Sequence, residues 1–186
     1  MLIIVTGLPC SGKTSLGRQI SRRFKFVFIS KDGFKERLFD SLGWSDRSWS
    51  KKLGVASYEM MFHVLEELLE VGLSCVFEAN FDPKFHSEPL ARIIEKHQTR
   101  IVQIHCLTQP EVLLERFRNR WERGERHPGH ADHITMPEME SLVKQKILPL
   151  ELPGPVFELD TTDLANLETS ALFAALKTEI EAELNA

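Results

Sequence analysis

A chain of 186 residues with 42% apolar and 27% charged residues has the length of one α/β domain and enough apolar content to bury its core. Its formal net charge of −4 argues against a general nucleic-acid or membrane-surface binder, while leaving room for a local basic groove. No membrane partner is expected, since no apolar run can span a bilayer or serve as a secretory leader, and cysteines without C-x-x-C spacing suit a reducing cytoplasm.

The first apolar run, at 2–6, suits a buried strand and leads straight into GLPCSGKT at 7–14. This stretch fits G-x-x-x-x-G-K-[ST] without a gap, at Gly7, Gly12, Lys13 and Thr14, and a helical pattern follows at 13–24. Strand, glycine-rich loop and helix in that order form a phosphate cradle. The glycines let successive backbone N–H groups turn toward anionic oxygens, and the helix adds its positive end. The nucleotide-binding candidates are therefore Gly7, Leu8, Pro9, Cys10, Ser11, Gly12, Lys13, Thr14 and Ser15. Lys13 would reach the β- and γ-phosphates, and the Thr14 hydroxyl would bind Mg²⁺. Cys10 is either a reactive thiol near a helix N-terminus or a small residue filling its place in the loop.

A second strand is predicted at 26–30, followed by a helix at 32–40. Asp32 falls at this strand end, where a carboxylate either orients an acceptor hydroxyl and takes its proton or caps the helix. Lys35 and Arg37 either pair with an anionic substrate or face solvent. A helix at 50–71 follows, and Trp44, Trp49, Tyr58 and His63 are candidates to line an acceptor pocket, although aromatics at such positions are more often core. The third strand, at 74–79, carries Cys75 as a small core residue and ends in Glu78-Ala79-Asn80. Glu78 would hold a Mg²⁺-bound water or contact substrate. Asn80 would donate to a phosphate or to the acceptor, or cap the strand end, with Asp82-Pro83 starting the helix at 86–97.

The fourth strand, at 101–107, holds Cys106 and precedes a helix at 110–122. The stretch from Glu115 to His133, ERFRNRWERGERHPGHADH, is dense in arginine. Arg116, Arg120 and Arg123 have i, i+4, i+7 spacing and share one helix face. Guanidinium groups bind phosphate in bidentate fashion, and phosphoryl transfer needs positive charge brought in by a mobile lid. The interleaved Glu115, Glu122 and Glu125 keep a solvated face open as the alternative. His127, His130 and His133 invite a metal reading, but Pro128-Gly129 breaks the helix that would align them, so lid-tip or substrate contacts fit better. A helix at 137–148, a strand at 156–160 and a helix at 164–183 close the chain. The turn at Thr161-Thr162-Asp163 would line an adenine pocket through its backbone, or cap that last helix.

Strands alternating with helices predict a parallel sheet covered on both faces, with ligands at the carboxyl ends of the strands. The expected organisation is one domain over 1–186, with an arginine-rich lid at about 115–136.

The whole pattern resembles the small P-loop kinases, a group that includes phage-type polynucleotide 5′-hydroxyl kinase, zeta-toxin-like kinases and chloramphenicol phosphotransferase. The resemblance rests on GLPCSGKT, ISKDGFKERL, VFEANF, the arginine-rich stretch and ELDTTD. It implies a three-layer α/β/α sandwich of the P-loop NTPase type, with a parallel sheet of order 2-3-1-4-5 and a helical lid. It places a general-base aspartate on Asp32, a substrate-phosphate contact on Lys35, and an Asp-Thr-Asn motif on Glu78-Ala79-Asn80. The lid arginines fall on Arg116, beside the nucleotide, and on Arg120 and Arg123, beside the transferred group. HPGHADH departs from the polynucleotide kinase pattern and leaves the acceptor open. The implied activity is transfer of the γ-phosphoryl group of ATP, with Mg²⁺, to a hydroxyl of a small molecule or a nucleic-acid 5′ end. The alternative is a switch-type ATPase without an acceptor of its own. A polynucleotide acceptor would need a basic groove, to which Arg18, Arg22, Arg23, Lys25, Lys31, Lys35 and Arg37 are the available contributors.

Overall fold

β1 (Leu2–Gly7) is buried along its whole length and forms the centre of a five-stranded sheet. The computed structural model describes residues 1–145 and 148–184. β1 is flanked by β3 (Cys75–Glu78) and β4 (Ile101–Leu107), with β2 (Val27–Ser30) and β5 (Val156–Asp160) outside them. Every pairing is parallel and the order is β2-β3-β1-β4-β5. This is the P-loop NTPase-like architecture that the resemblance implies.

Alternate residues of β1 serve the two faces. Leu2 and Ile4 pack with Phe77, Met61, Leu65 and Leu90, under α3 (Arg47–Glu70) and α4 (Pro83–His97). Ile3 and Val5 pack with Leu16, Ile20, Leu172 and Leu176, under α1 (Lys13–Phe24) and α7 (Ser170–Leu184). Cys75 and Cys106 are buried in these layers as small apolar residues. Leu65 has no exposed surface. Leu65→Ala is expected to cost about 2–5 kcal/mol in chemical denaturation, through lost burial and a cavity, while nucleotide affinity stays unchanged.

The other helices are α2 (Lys31–Leu42), α5 (Pro110–Glu122) and α6 (Met136–Leu142), with single 3₁₀ turns at Pro128–His130 and Asp132–Ile134. Ser30, not Asp32, caps α2, its hydroxyl accepting the Gly33 N–H at 3.1 Å. Asp82 caps α4 and Pro83 opens it, as their order predicts. Two helix expectations are corrected. The helix predicted at 137–148 stops at Leu142 and turns at Val143; 146 and 147 lie outside the described residues. The helix predicted from 164 begins at Ser170, because the Asp163 carboxylate accepts N–H groups from Ala165 and Asn166 and holds a turn there. Among the described residues, no helix is long and apolar enough to cross a membrane.

Candidate active site

The loop between β1 and α1 needs glycine at both ends. Gly12 has φ 82°, and a Cβ there would lie 2.7 Å from Leu164 Cδ2; a Cβ on Gly7 would lie 2.7 Å from the Cys106 carbonyl oxygen. Cys10 holds a left-handed φ of 67°, a strained geometry for a residue with a side chain. Burial pushes its thiol up, which disfavours a reactive thiolate. Lys13 Nζ donates to the Leu8 carbonyl at 3.2 Å. The Ser11 hydroxyl is buried and has no hydrogen-bond partner among the described residues. A curled loop with a lysine turned back over it and an unpaired hydroxyl within it fits an anionic guest.

Glu78 ends β3 beneath this loop. Its Oε2 accepts the Thr14 hydroxyl at 3.2 Å, and its Oε1 lies 3.9 Å from Lys13 Nζ. Burial raises the Glu78 carboxyl above its usual range, with Lys13 opposing. A hydroxyl and a carboxylate side by side are hard oxygen donors, the set that Mg²⁺ takes.

A cleft of about 1300 Å³ runs from this loop across the start of α2, lined by Lys13, Thr14, Asp32, Lys35, Asn80 and Arg120 among others. Both Asp32 oxygens are engaged: Oδ1 by Lys31 Nζ at 3.1 Å, Oδ2 by the Arg126 guanidinium. Burial works to raise this carboxyl, but Arg126 and then Lys31 outweigh it and hold it well below the usual carboxylate range. One turn further along α2, Lys35 is almost fully buried and donates to the Ser50 hydroxyl at 2.9 Å. Burial, followed by the charge of Lys31, pushes its ammonium down to about 7. Asn80 lines the cleft, and its carbonyl accepts from Tyr58 at 3.0 Å.

The three arginines predicted to act together all line the cleft but take different partners. Arg116 donates to the Thr161 and Thr162 carbonyls at 2.9 and 2.7 Å and reaches the Cys10 carbonyl at 3.4 Å. It therefore ties α5 to the phosphate loop and engages the turn expected to line an adenine. Arg120 pairs with Asp132 at 2.9 Å over the Phe117 ring. Arg123 lies past the end of α5, exposed, 3.6 Å from Glu125.

Of the four proposed acceptor-pocket residues, Tyr58 lines the cleft, with Phe62, Phe85 and His86 beside it, while Trp44, Trp49 and His63 do not. The Tyr58 and His86 rings lie 4.2 Å apart. Of the seven residues named for a polynucleotide groove, only Lys31 and Lys35 line the cleft; Arg18 lies over Phe28 and Arg23 over Phe173 instead. Reasoning from sequence missed Arg126 and Asp132 as partners of the site. Both stand in the arginine-rich stretch, but beyond the helix, where spacing rules do not apply.

Fold and loop define the class of the chain: a P-loop NTPase-like fold of the kinase kind. Residues 2–144 match the AAA_33 family, described as an AAA domain, and the chain belongs to that family. It is 35% identical to a candidate kinase from Chloroflexus aurantiacus J-10-fl, with a TM-score of 0.87 over 96% of this chain and 97% of that one. A gluconokinase from Sinorhizobium meliloti 1021 shares the fold at 16% identity, with a TM-score of 0.55 over 99% of this chain and 96% of that one. A sugar kinase from Janibacter sp. HTCC2649 shares it at 14% identity, with a TM-score of 0.59 over 97% and 94%. No curated protein matches the chain significantly.

Proposed function

We propose that the protein is an ATP-dependent kinase that transfers the γ-phosphoryl group to a hydroxyl of a small molecule. The observation that carries this reading is a single cleft joining the phosphate loop, the Asp32 carboxylate and a wall of Tyr58, Phe62 and His86. A switch-type ATPase has no need of such a wall. The kinases that share the fold support the same reading.

In this account the loop backbone and Lys13 hold the β- and γ-phosphates. Thr14 and Glu78 would hold Mg²⁺, which would supply positive charge against the phosphates. Arg116 keeps the loop in shape, and Arg120 and Arg123 bring positive charge over the transferred group. Asp32 receives the acceptor hydroxyl and its proton. Its carboxylate stays ionised throughout the neutral range, and a loose transition state asks for orientation more than for base strength.

Lys35 points to the acceptor's character. Among the described residues no carboxylate pairs with its buried ammonium, which bonds only Ser50. A buried charge needs a counter-ion. An anionic group on the acceptor supplies one. Since the bound anion favours protonated Lys35, affinity is highest below about pH 7 and falls as Lys35 loses its proton above it. The expected result is an acceptor KM that rises by up to about tenfold per pH unit above neutrality while the KM for ATP stays flat. Lys35→Gln should weaken acceptor binding and flatten that profile; steady-state kinetics from pH 6 to 9 check both.

The test is transfer of labelled γ-phosphoryl to a panel of sugar acids, phosphorylated sugars, neutral sugars, nucleosides, aminoglycosides and 5′-hydroxyl oligonucleotides. Label on a small hydroxylated acceptor supports the reading. Label on oligonucleotide ends alone contradicts it.

A further inference from the structure

The HPGH turn was left without a role in the chemistry. It begins one residue after Arg126 and folds back onto α2. Its contacts fall on Glu36, Phe39 and Asp40, which share one helix face with Asp32 at i+4, i+7 and i+8. His130 Nε2 lies 3.1 Å from Glu36 Oε1, and the ring is almost fully buried. The His127 ring stacks on Phe39 at 5.1 Å, and its Nε2 lies 3.3 Å from Asp40 Oδ1. His127 Nδ1 accepts the Gly129 N–H at 3.0 Å, so Nε2, which faces Asp40, carries the proton. Gly129 is pressed against Phe39 so closely that a Cβ would lie 2.6 Å from the ring. Behind the turn, Asp132 takes Arg126 at 3.1 Å and Arg120 at 2.9 Å.

We propose that His130 and Gly129 are positioning residues, and that the HPGH turn docks along one face of α2 to hold the Arg126 guanidinium on the Asp32 carboxylate. The turn sets the register between two elements that meet nowhere near each other in sequence. Its bond to Glu36, made by a buried imidazole, and its ring stack on Phe39 act as two pegs. With both seated, Arg126 has one place to go, because Asp132 fixes its other nitrogen. With either lost, the turn slides and Arg126 stays with Asp132 alone.

The test reads the ionisation of Asp32 directly. Carboxyl ¹³C NMR follows its titration, and the resonance is assigned by its loss in Asp32→Asn. The groups acting on this carboxyl are Lys31, Lys35 and Glu36 on α2, Lys13 beside the loop, Glu78 on β3, Tyr58 on α3, and Arg126 and His130 on the turn. Gly129→Ala keeps every one of them and only pushes the turn off Phe39. It should move the Asp32 titration upward, toward the Arg126→Ala reference. The charge of His130 also lowers Asp32, so the comparison there is between His130→Ala and His130→Gln, both uncharged. The Gln amide can bond Glu36 in place of the imidazole, and it should hold Asp32 below its value in His130→Ala. If Arg126→Ala moves Asp32 while Gly129→Ala leaves it at the wild-type value, the docking role is overturned. An Asp32 unmoved in Arg126→Ala would overturn the pair itself. Should His130→Ala fail to fold, Gly129→Ala and His130→Gln decide alone.

The kinetic counterpart, a lower kcat at unchanged KM for ATP in Gly129→Ala, rests on the proposed kinase reading. The NMR result does not, so the two can fail separately.

Discussion

Asp32→Asn is expected to abolish phosphoryl transfer, with kcat falling by about 10²–10⁴-fold, and to leave ATP affinity near that of the wild type. Asn keeps the size of Asp but cannot take a proton from an acceptor hydroxyl. Both Asp32 oxygens already face cations, Lys31 and Arg126, so the substitution also removes the charge those groups share. Arg126 retains Asp132, which limits the damage to the fold. The phosphate loop is built from β1 and α1 and does not depend on Asp32, which is why nucleotide binding survives. Titration calorimetry with ATP, beside a turnover assay, separates the two effects. Full transfer in the variant would remove Asp32 from the chemistry.

Lys13→Ala should be the second severe change. Its ammonium is the charge that stands over the loop, bonded to the Leu8 carbonyl and within reach of Glu78. Removing it would take away the proposed electrostatic clamp on the β- and γ-phosphates, with an expected loss of about 10²–10³-fold in kcat and weaker ATP binding in addition. It also leaves the buried Glu78 with only the Thr14 hydroxyl, so its carboxyl should rise further, since Lys13 is the largest influence lowering it. Circular dichroism and turnover on the same sample distinguish a dead enzyme from an unfolded one. Retained wild-type turnover would contradict the role given to the loop.

What could be read in advance followed the range of the forces involved. Apolar runs mark all five strands to within a residue or two. The three central strands are buried on both faces, while the edge strand β5 has no buried residue and turns only Phe157 and Leu159 toward the core. The phosphate loop is equally local: strand, glycines and helix lie within 24 residues. Ends set by side-chain caps were less legible. The hydroxyl of Ser30 does the capping that was the alternative role for Asp32, and the Asp163 turn delays α7 to Ser170. Least legible was the company Asp32 keeps. Arg126 lies 94 residues away and beyond the end of α5, so no periodicity joins them. The aromatic candidates divided for a related reason. Tyr58 turns toward His86 and the cleft, whereas the Trp49 indole donates to Gly43 and Trp44 sits edge-on to His127. Helix pattern places a residue on a face, but the partner that the face meets comes from elsewhere in the chain.

The central claim is that the chain passes phosphate to an acceptor that Asp32 orients. The most direct measurement is ADP release from Mg²⁺-ATP with and without the acceptor panel, run for the wild type and for Asp32→Asn. The expected result is release that one acceptor class stimulates strongly and that Asp32→Asn loses. Release at the same rate with every acceptor and with water alone, unchanged in Asp32→Asn, would contradict it.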